Sequence, residues 1–243
     1  MPRNPATANA DEVMPFRILI TGFGRFPGAP VNPSGLIAAR LVRRRRPTFD
    51  RTQRIAHVFA TCYDAIDREL PVLLAQEKPD IIVMFGVATR SHRVRVEERA
   101  RNRIALYPDA DGRRPAASVI APRRDALRNP LPLTRLVHAA RTAGVAAARS
   151  RNAGAYLCNY AYWRALEAAA RPDGPHSVIF IHVPPIGIKK VPKQRSTKRR
   201  TGARIKRQRP ALLNDLVRAG EAIVLAMMSL AAAGRQQGAL RSH

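Results

Sequence analysis

Short, almost wholly apolar runs alternate with segments of helical spacing along this chain. Ile18-Leu19-Ile20 is such a run, ended by Thr21-Gly22, and it suits a strand buried on both faces. In "NPSGLIAARLVRRRR", Pro33 and Ser34 can open a helix. Leu36, Ala39 (or Arg40) and Val42 give it rough helical spacing, and Pro47 closes it. Residues 54–61 predict a second strand. "CYDAIDRELPVLLAQEKPD" predicts a helix with Pro71 inside it, and Ile81 to Gly86 a third strand. In "HRVRVEERARNRIAL", Val94 and Val96 alternate with charged neighbours, the two-residue period of a half-exposed strand. Residues 107–135 are rich in Pro, Asp and Arg and are expected to be largely loop. "RLVHAARTAGVAAARS" can be helical, and Val178 to Val183 predicts a strand closed by Pro184-Pro185. "PALLNDLVRAGEAIVLAMMSLAAAG" predicts the last helix, with Pro210 near its first turn.

Apolar strands alternating with helices predict an α/β fold: a single-domain three-layer α/β/α sandwich around a mostly parallel, twisted sheet. No Gly/Ser-rich linker divides the apolar segments. The expected organisation is a loose leader over residues 1–14, a main domain over 15–234 interrupted by a basic insertion at 189–209, and a polar tail over 235–243. Active sites in such folds lie beyond the carboxyl ends of the strands. Thr21-Gly22-Phe23, Gly86 and His182 all occupy such ends.

Charge adds a second theme. The net charge is +26, and "KKVPKQRSTKRRTGARIKRQR", from Lys189 to Arg209, holds 11 Lys/Arg and no acidic residue. Such a tract is either a solvated insertion or a tether for nucleic acid or another polyanion through phosphate neutralisation. It has no interleaved aromatics, so base stacking is not expected. The N-terminus lacks the apolar core of a secretory signal. The most apolar stretch, "AIVLAMMSLAAAG", is expected to be too short to span a bilayer. Two cysteines cannot form a disulfide framework, and the expected compartment is the cytoplasm, where thiols stay reduced.

Those two thiols direct attention to chemistry. Cys158 stands in "NAGAYLCNYAYW", and the Ala-rich segment after it, with Trp163, Leu166 and Ala170 at helical spacing, puts it at a helix start. A helix N-terminus favours thiolate over thiol. On its own, a cysteine is more often a small buried hydrophobe. His182, at the end of an apolar strand, is by itself more often a core histidine. Together the two residues form a candidate nucleophile and general base. His57, His92, His138, His176 and His243 have more polar or helical contexts. A third member would be a carboxylate orienting the imidazole. Glu97 and Glu98 both qualify, and periodicity does not choose between them.

At this point four blocks match a known family in order. "ILITGFGRFPGAPVNPSG", "KPDIIVMFGVATRSHRVRVEERARN", "SRNAGAYLCNYAYW" and "FIHVPP" resemble the corresponding blocks of pyroglutamyl peptidase I (pyrrolidone-carboxylate peptidase), a cysteine-peptidase family that removes N-terminal pyroglutamate. They cover most of residues 15–187, and the nucleophile block is the most specific. The resemblance implies Cys158 as nucleophile, His182 as base and Glu97 as the orienting acid. It implies Phe23 and Phe26 as walls for the pyrrolidone ring, with Asn32 and Val87 beside the substrate. No metal and no cofactor is expected.

The implied partners are N-terminally blocked peptides, with a homo-oligomer, a tetramer by resemblance, as the assembly. Pyroglutamate is an uncharged lactam, and a site for it needs flat apolar walls and a few fixed polar partners. The chain departs from the family pattern at Thr89, Arg90 and Ser91, which replace Gly-Gly-Arg. It departs again at Tyr107, which replaces an arginine for which Arg103 is the nearest substitute, and at Val87, where many members carry glutamine. Two other readings follow: a polyanion-binding protein on a retired peptidase fold, and a cysteine hydrolase for another acyl group.

Overall fold

The computed structural model describes residues 16–26, 28–122, 125–186 and 212–241. The proposed leader and the basic tract lie outside the described residues. Six strands form one sheet in the order β2-β1-β3-β8-β4-β7. These are β1 (Phe16–Phe23), β2 (Thr52–Phe59), β3 (Ile81–Val87), β4 (Val94–Glu97), β7 (Ala147–Ser150) and β8 (Ser177–Val183). The first four strands of that order are mutually parallel. β4 is antiparallel to β8, and β7 runs parallel to β4. A small second ladder pairs β5 (Arg99–Arg101) with β6 (Ala126–Arg128).

Side chains alternate across a strand, so each strand feeds two cores. On one face, Ile18, Ile20, Val83, Phe85, Ile179, Ile181, Val94 and Val96 pack under α1 (Pro33–Val42), α3 (Leu133–Thr142) and α5 (Leu213–Arg241). On the other, Leu19, Phe23, Ile82, Met84, Val178 and Phe180 pack under α2 (Tyr63–Glu77) and α4 (Leu157–Ala169). This is the three-layer sandwich that the alternating pattern predicts. Trp163 and Tyr162 of α4 are wholly buried in the second core. Each large apolar side chain removed from water stabilises the fold by about 1.5–3 kcal/mol, which seats α4, and hence Cys158, firmly on the sheet.

Several elements differ from the sequence reading. The helix expected over "RLVHAARTAGVAAARS" stops at Thr142. Gly144 takes φ +84°, and residues 147–150 continue as β7 on the sheet edge. Within the expected loop, Ala126–Arg128 forms β6. β4 is not half-exposed, because α4 and the second core cover the face carrying Glu97, which is fully buried. α2 runs through Pro71 without ending. α1 ends at Val42, before Pro47, and α5 continues past Gly234 to Arg241.

α5 also corrects the membrane expectation. Its Leu213–Gln237 stretch is long and apolar enough to cross a bilayer, with mean hydropathy 1.6. Here Leu216, Ile223, Val224 and Met227 are buried against the sheet and its neighbouring helices, so the apolar length serves the core.

Candidate active site

The strand ends predicted to carry chemistry converge. Gly86 of β3 is the direct neighbour of His182 on β8, and Arg95 of β4 is the neighbour of His182 on its other side. Two-residue alternation puts Phe180 and His182 on the face covered by α4. The same alternation puts Arg95 and Glu97 there, opposite Val94 and Val96. α4 begins at Leu157 with Tyr156 as its N-cap, so Cys158 lies in the first turn, as the sequence predicts. The N–H groups of a first helical turn have no partner within the helix.

His182 links the nucleophile to the acid. Its Nδ1 is 2.9 Å from Oε1 of Glu97, which leaves Nε2 to interact with Cys158. His182 is 5% exposed and Glu97 0%, so the pair is held away from bulk water. Burial works against a charged imidazole. The hydrogen bonds and negative charges of Cys158 and Glu97 outweigh it and push the His182 pKa up to about 9. The ring therefore carries its proton at neutral pH, poised between a sulfur and a carboxylate.

Gly86 explains how the thiol fits. A Cβ there would stand 2.7 Å from the Cys158 Sγ and 2.8 Å from the Phe180 ring, closer than side chains tolerate. Glycine at this strand end is what lets the sulfur rest on the sheet beside His182.

The other candidate acid, Glu98, lies elsewhere. It is ion-paired to Arg128 at 3.4 Å and Arg151 at 3.3 Å. Glu97 is instead ion-paired to Arg95, whose Nη2 lies 3.1 Å from the same Oε1 that meets His182, and its Oε2 has no hydrogen-bond partner among the described residues. Arg95 is anchored by Ser150 Oγ at 2.6 Å and by the carbonyl of Asn152. Sequence reasoning passed over Arg95. The period of "RVRVE" held the signal, since it puts Arg95 and Glu97 on one side.

Three further residues were also passed over. The Tyr162 hydroxyl donates to the Glu97 carbonyl at 2.9 Å and accepts from Asn129 Nδ2 at 2.8 Å. Complete burial drives the Tyr162 pKa far upward, against the hydrogen bond from Asn129 and with help from the Glu97 charge, so the hydroxyl remains a donor. Asn159, next to the nucleophile, binds Arg101 N–H at 2.8 Å and the carbonyls of Arg101 and Arg103 at 2.7 and 3.1 Å. It ties the loop after β5 to the start of α4. Tyr162 and Asn159 stand in the nucleophile block, but their roles depend on distant partners that no local pattern reveals.

The expected substrate residues are spread more widely. Phe23 ends β1 and is buried among Phe59 and Phe180, with ring centroids 5.9 and 6.5 Å apart; the Phe180 ring lies 4.9 Å from that of His182. Phe26 is half-buried on the loop beyond β1, bridged to Ala29 with its ring by Gly28. No ring among the described residues packs against it. Asn32 is a scaffold for that loop: it caps α1 through Ser34 N–H at 3.1 Å, accepts from Ser34 Oγ at 2.7 Å and donates to the Gly24 carbonyl at 2.8 Å. Val87 ends β3 and lines an open cleft of about 940 Å³ together with His182. Tyr107 and Arg103 line a different cleft with Tyr156, and Tyr107 is 69% exposed.

The family model described as pyroglutamyl peptidase matches residues 16–212. The chain is 33% identical over 172 residues to the pyrrolidone-carboxylate peptidase of Thermococcus onnurineus, covering 69% of this chain and 83% of that protein. It is 32% identical over 179 residues to pyrrolidone-carboxylate peptidase 1 of Ralstonia nicotianae, covering 69% and 77%. Among solved structures, a variant of the pyrrolidone carboxyl peptidase of Pyrococcus furiosus superposes with a TM-score of 0.74 at 26% identity, covering 88% of this chain and 99% of that one. The Thermococcus litoralis enzyme gives 0.74 at 27%, covering 88% and 94%. With the family model spanning most of its length, the chain belongs to the pyroglutamyl peptidase family.

Proposed function

We propose that this protein is a cysteine exopeptidase that hydrolyses the N-terminal pyroglutamyl group from peptides, with Cys158, His182 and Glu97 as its catalytic triad. The observation that carries the reading is the buried Glu97–His182 pair at 2.9 Å, with a helix-start thiol resting over Gly86, the strand neighbour of His182, in a chain of this family.

The Cys158 thiolate attacks the pyroglutamyl carbonyl carbon. The developing oxyanion is met by free N–H groups in the first turn of α4. The C–N bond breaks as His182 gives its proton to the departing amine, leaving a pyroglutamyl thioester on Cys158 and a neutral imidazole. That imidazole takes a proton from water, the hydroxide attacks the thioester, and the thiolate–imidazolium pair returns with free pyroglutamate. Glu97 keeps Nδ1 bonded, so Nε2 faces the sulfur. Phe23 and Phe26 supply apolar walls and Val87 borders the substrate, while Asn32 acts by holding the loop that carries Phe26. A free α-ammonium has no counter-charge between such walls, which selects the blocked terminus. Both cysteines are free thiols, and a nucleophile that must stay reduced fits a cytoplasmic enzyme.

A pyroglutamyl chromogenic amide tests the reading. Wild type should release the chromophore, thiol alkylation should stop it, and Cys158→Ser should be inactive. Absence of thiol-sensitive release by wild type would overturn it. The polyanion tether remains a separate proposal for Lys189–Arg209, supported by its 11 basic residues and no acid. Deleting the tract should leave peptidase activity and remove salt-sensitive polyanion binding. The tetramer is likewise a proposal, tested by light scattering of the full chain.

A further inference from the structure

The cleft that opens beside His182 is cationic. Arg90, Arg93, Arg95 and Arg149 line it, and no Asp or Glu does. Arg95 is committed to Glu97, Ser150 and Asn152. Arg90, Arg93 and Arg149 are exposed, and their guanidinium groups have no ion-pair or hydrogen-bond partner among the described residues. Arg93 immediately precedes β4 and lines the cleft together with Arg95. Ser91 Oγ, donating to the Arg93 carbonyl at 2.7 Å and accepting its N–H at 3.3 Å, fixes the turn that presents Arg90 and Arg93.

A polypeptide leaving the scissile bond has to pass out of the site beside the residue that protonates it, and this cleft adjoins His182. A cleft of one charge sign concentrates ligands of the opposite sign and speeds their capture. Free guanidinium forks suit carboxylates in particular.

We propose that this cleft binds the peptide on the leaving side of the pyroglutamyl bond, and that Arg90 and Arg93 select substrates with acidic side chains in the first few residues after pyroglutamate. The proposal rests on the peptidase reading above. It concerns only which peptides are preferred.

The test compares fluorogenic pyroglutamyl peptides that differ only in the next two residues, Glu-Glu, Ala-Ala or Lys-Lys. At low salt, kcat/KM should fall in that order, with roughly tenfold between Glu-Glu and Ala-Ala from two exposed charge contacts and steering. Salt near 0.5 M should bring the ratio towards one, since it screens exposed charges. In Arg90→Glu/Arg93→Glu the preference should invert in favour of Lys-Lys. Because the readout is a ratio on one enzyme, any general loss of activity cancels. Equal kcat/KM for the three peptides in wild type would overturn the proposal. So would an acidic preference that the double variant leaves unchanged, since its source would then be another basic region. Failure to cleave even the Ala-Ala peptide would instead strike the peptidase reading itself.

Discussion

The two faces of one strand do different work in this protein. On β8, Ile179, Ile181 and Val183 pack into the core under α1, α3 and α5, while Phe180 and His182 face α4. β4 repeats the division, with Val94 and Val96 on the first face and Arg95 and Glu97 on the second. The first face is dry and chemically silent. The second buries an acid and an imidazole and sets a partly buried thiol beside them. A two-residue period thus supplies rigidity from one side and alignment from the other, and the catalytic groups inherit the precision of the sheet. Backbone pairing of Gly86, His182 and Arg95 across three adjacent strands sets the spacing before any side chain is placed.

The contrast can be broken most severely on the active face. His182→Ala should lower kcat/KM on a pyroglutamyl amide by roughly 10²–10⁴-fold while the far-ultraviolet circular dichroism stays that of the folded protein. Gly86→Ala should come next. Its Cβ would meet Sγ at 2.7 Å, and displacing a nucleophile by about 1 Å can cost on the order of 10²-fold. Retained activity in that variant would show that the sulfur does not depend on this seat.

The pH profile is a milder probe. A His182 pKa raised to about 9, above its ordinary 6.5, favours the protonated ring in the folded enzyme. kcat/KM should therefore fall about tenfold per pH unit above roughly pH 9. The same shift stabilises the fold fully below the ordinary pKa, and that contribution is lost as the pH rises through about 9.

The smallest effect on chemistry should come from the silent face. Ile181→Ala should destabilise the protein by about 2–5 kcal/mol in denaturant unfolding, yet the folded fraction should keep its kcat/KM. A large loss of kcat/KM there would mean that the two faces are less independent than the alternation suggests.

Much of this arrangement was legible in the residues, for reasons that the same contrast explains. Apolar runs such as Ile81–Phe85 read directly as buried strands because both of their faces are covered. Cys158 read as a helix-start residue because the segment after it has helical spacing. Glu97 was different. A charge alternating with valines looks like a solvated face, and only the family resemblance singled it out from Glu98, because burial under α4 is a tertiary fact. The 147–150 strand was missed for a similar reason. "AARS" has helical composition, and its strand state comes from pairing with β4 on the sheet edge. The support that Tyr162 and Asn129 give Glu97 joins positions 33 residues apart, beyond the reach of any local pattern.

The proposed chemistry turns on Cys158 as the carrier of the acyl group. Its most direct test is to mix enzyme with excess pyroglutamyl substrate, quench in acid during turnover, and map the protein by mass spectrometry. A pyroglutamyl thioester is expected on the Cys158 peptide of wild type, in greater yield with an activated ester, and none in Cys158→Ala. Turnover of the substrate by Cys158→Ala at the wild-type rate, with no adduct on this residue in either protein, would contradict it.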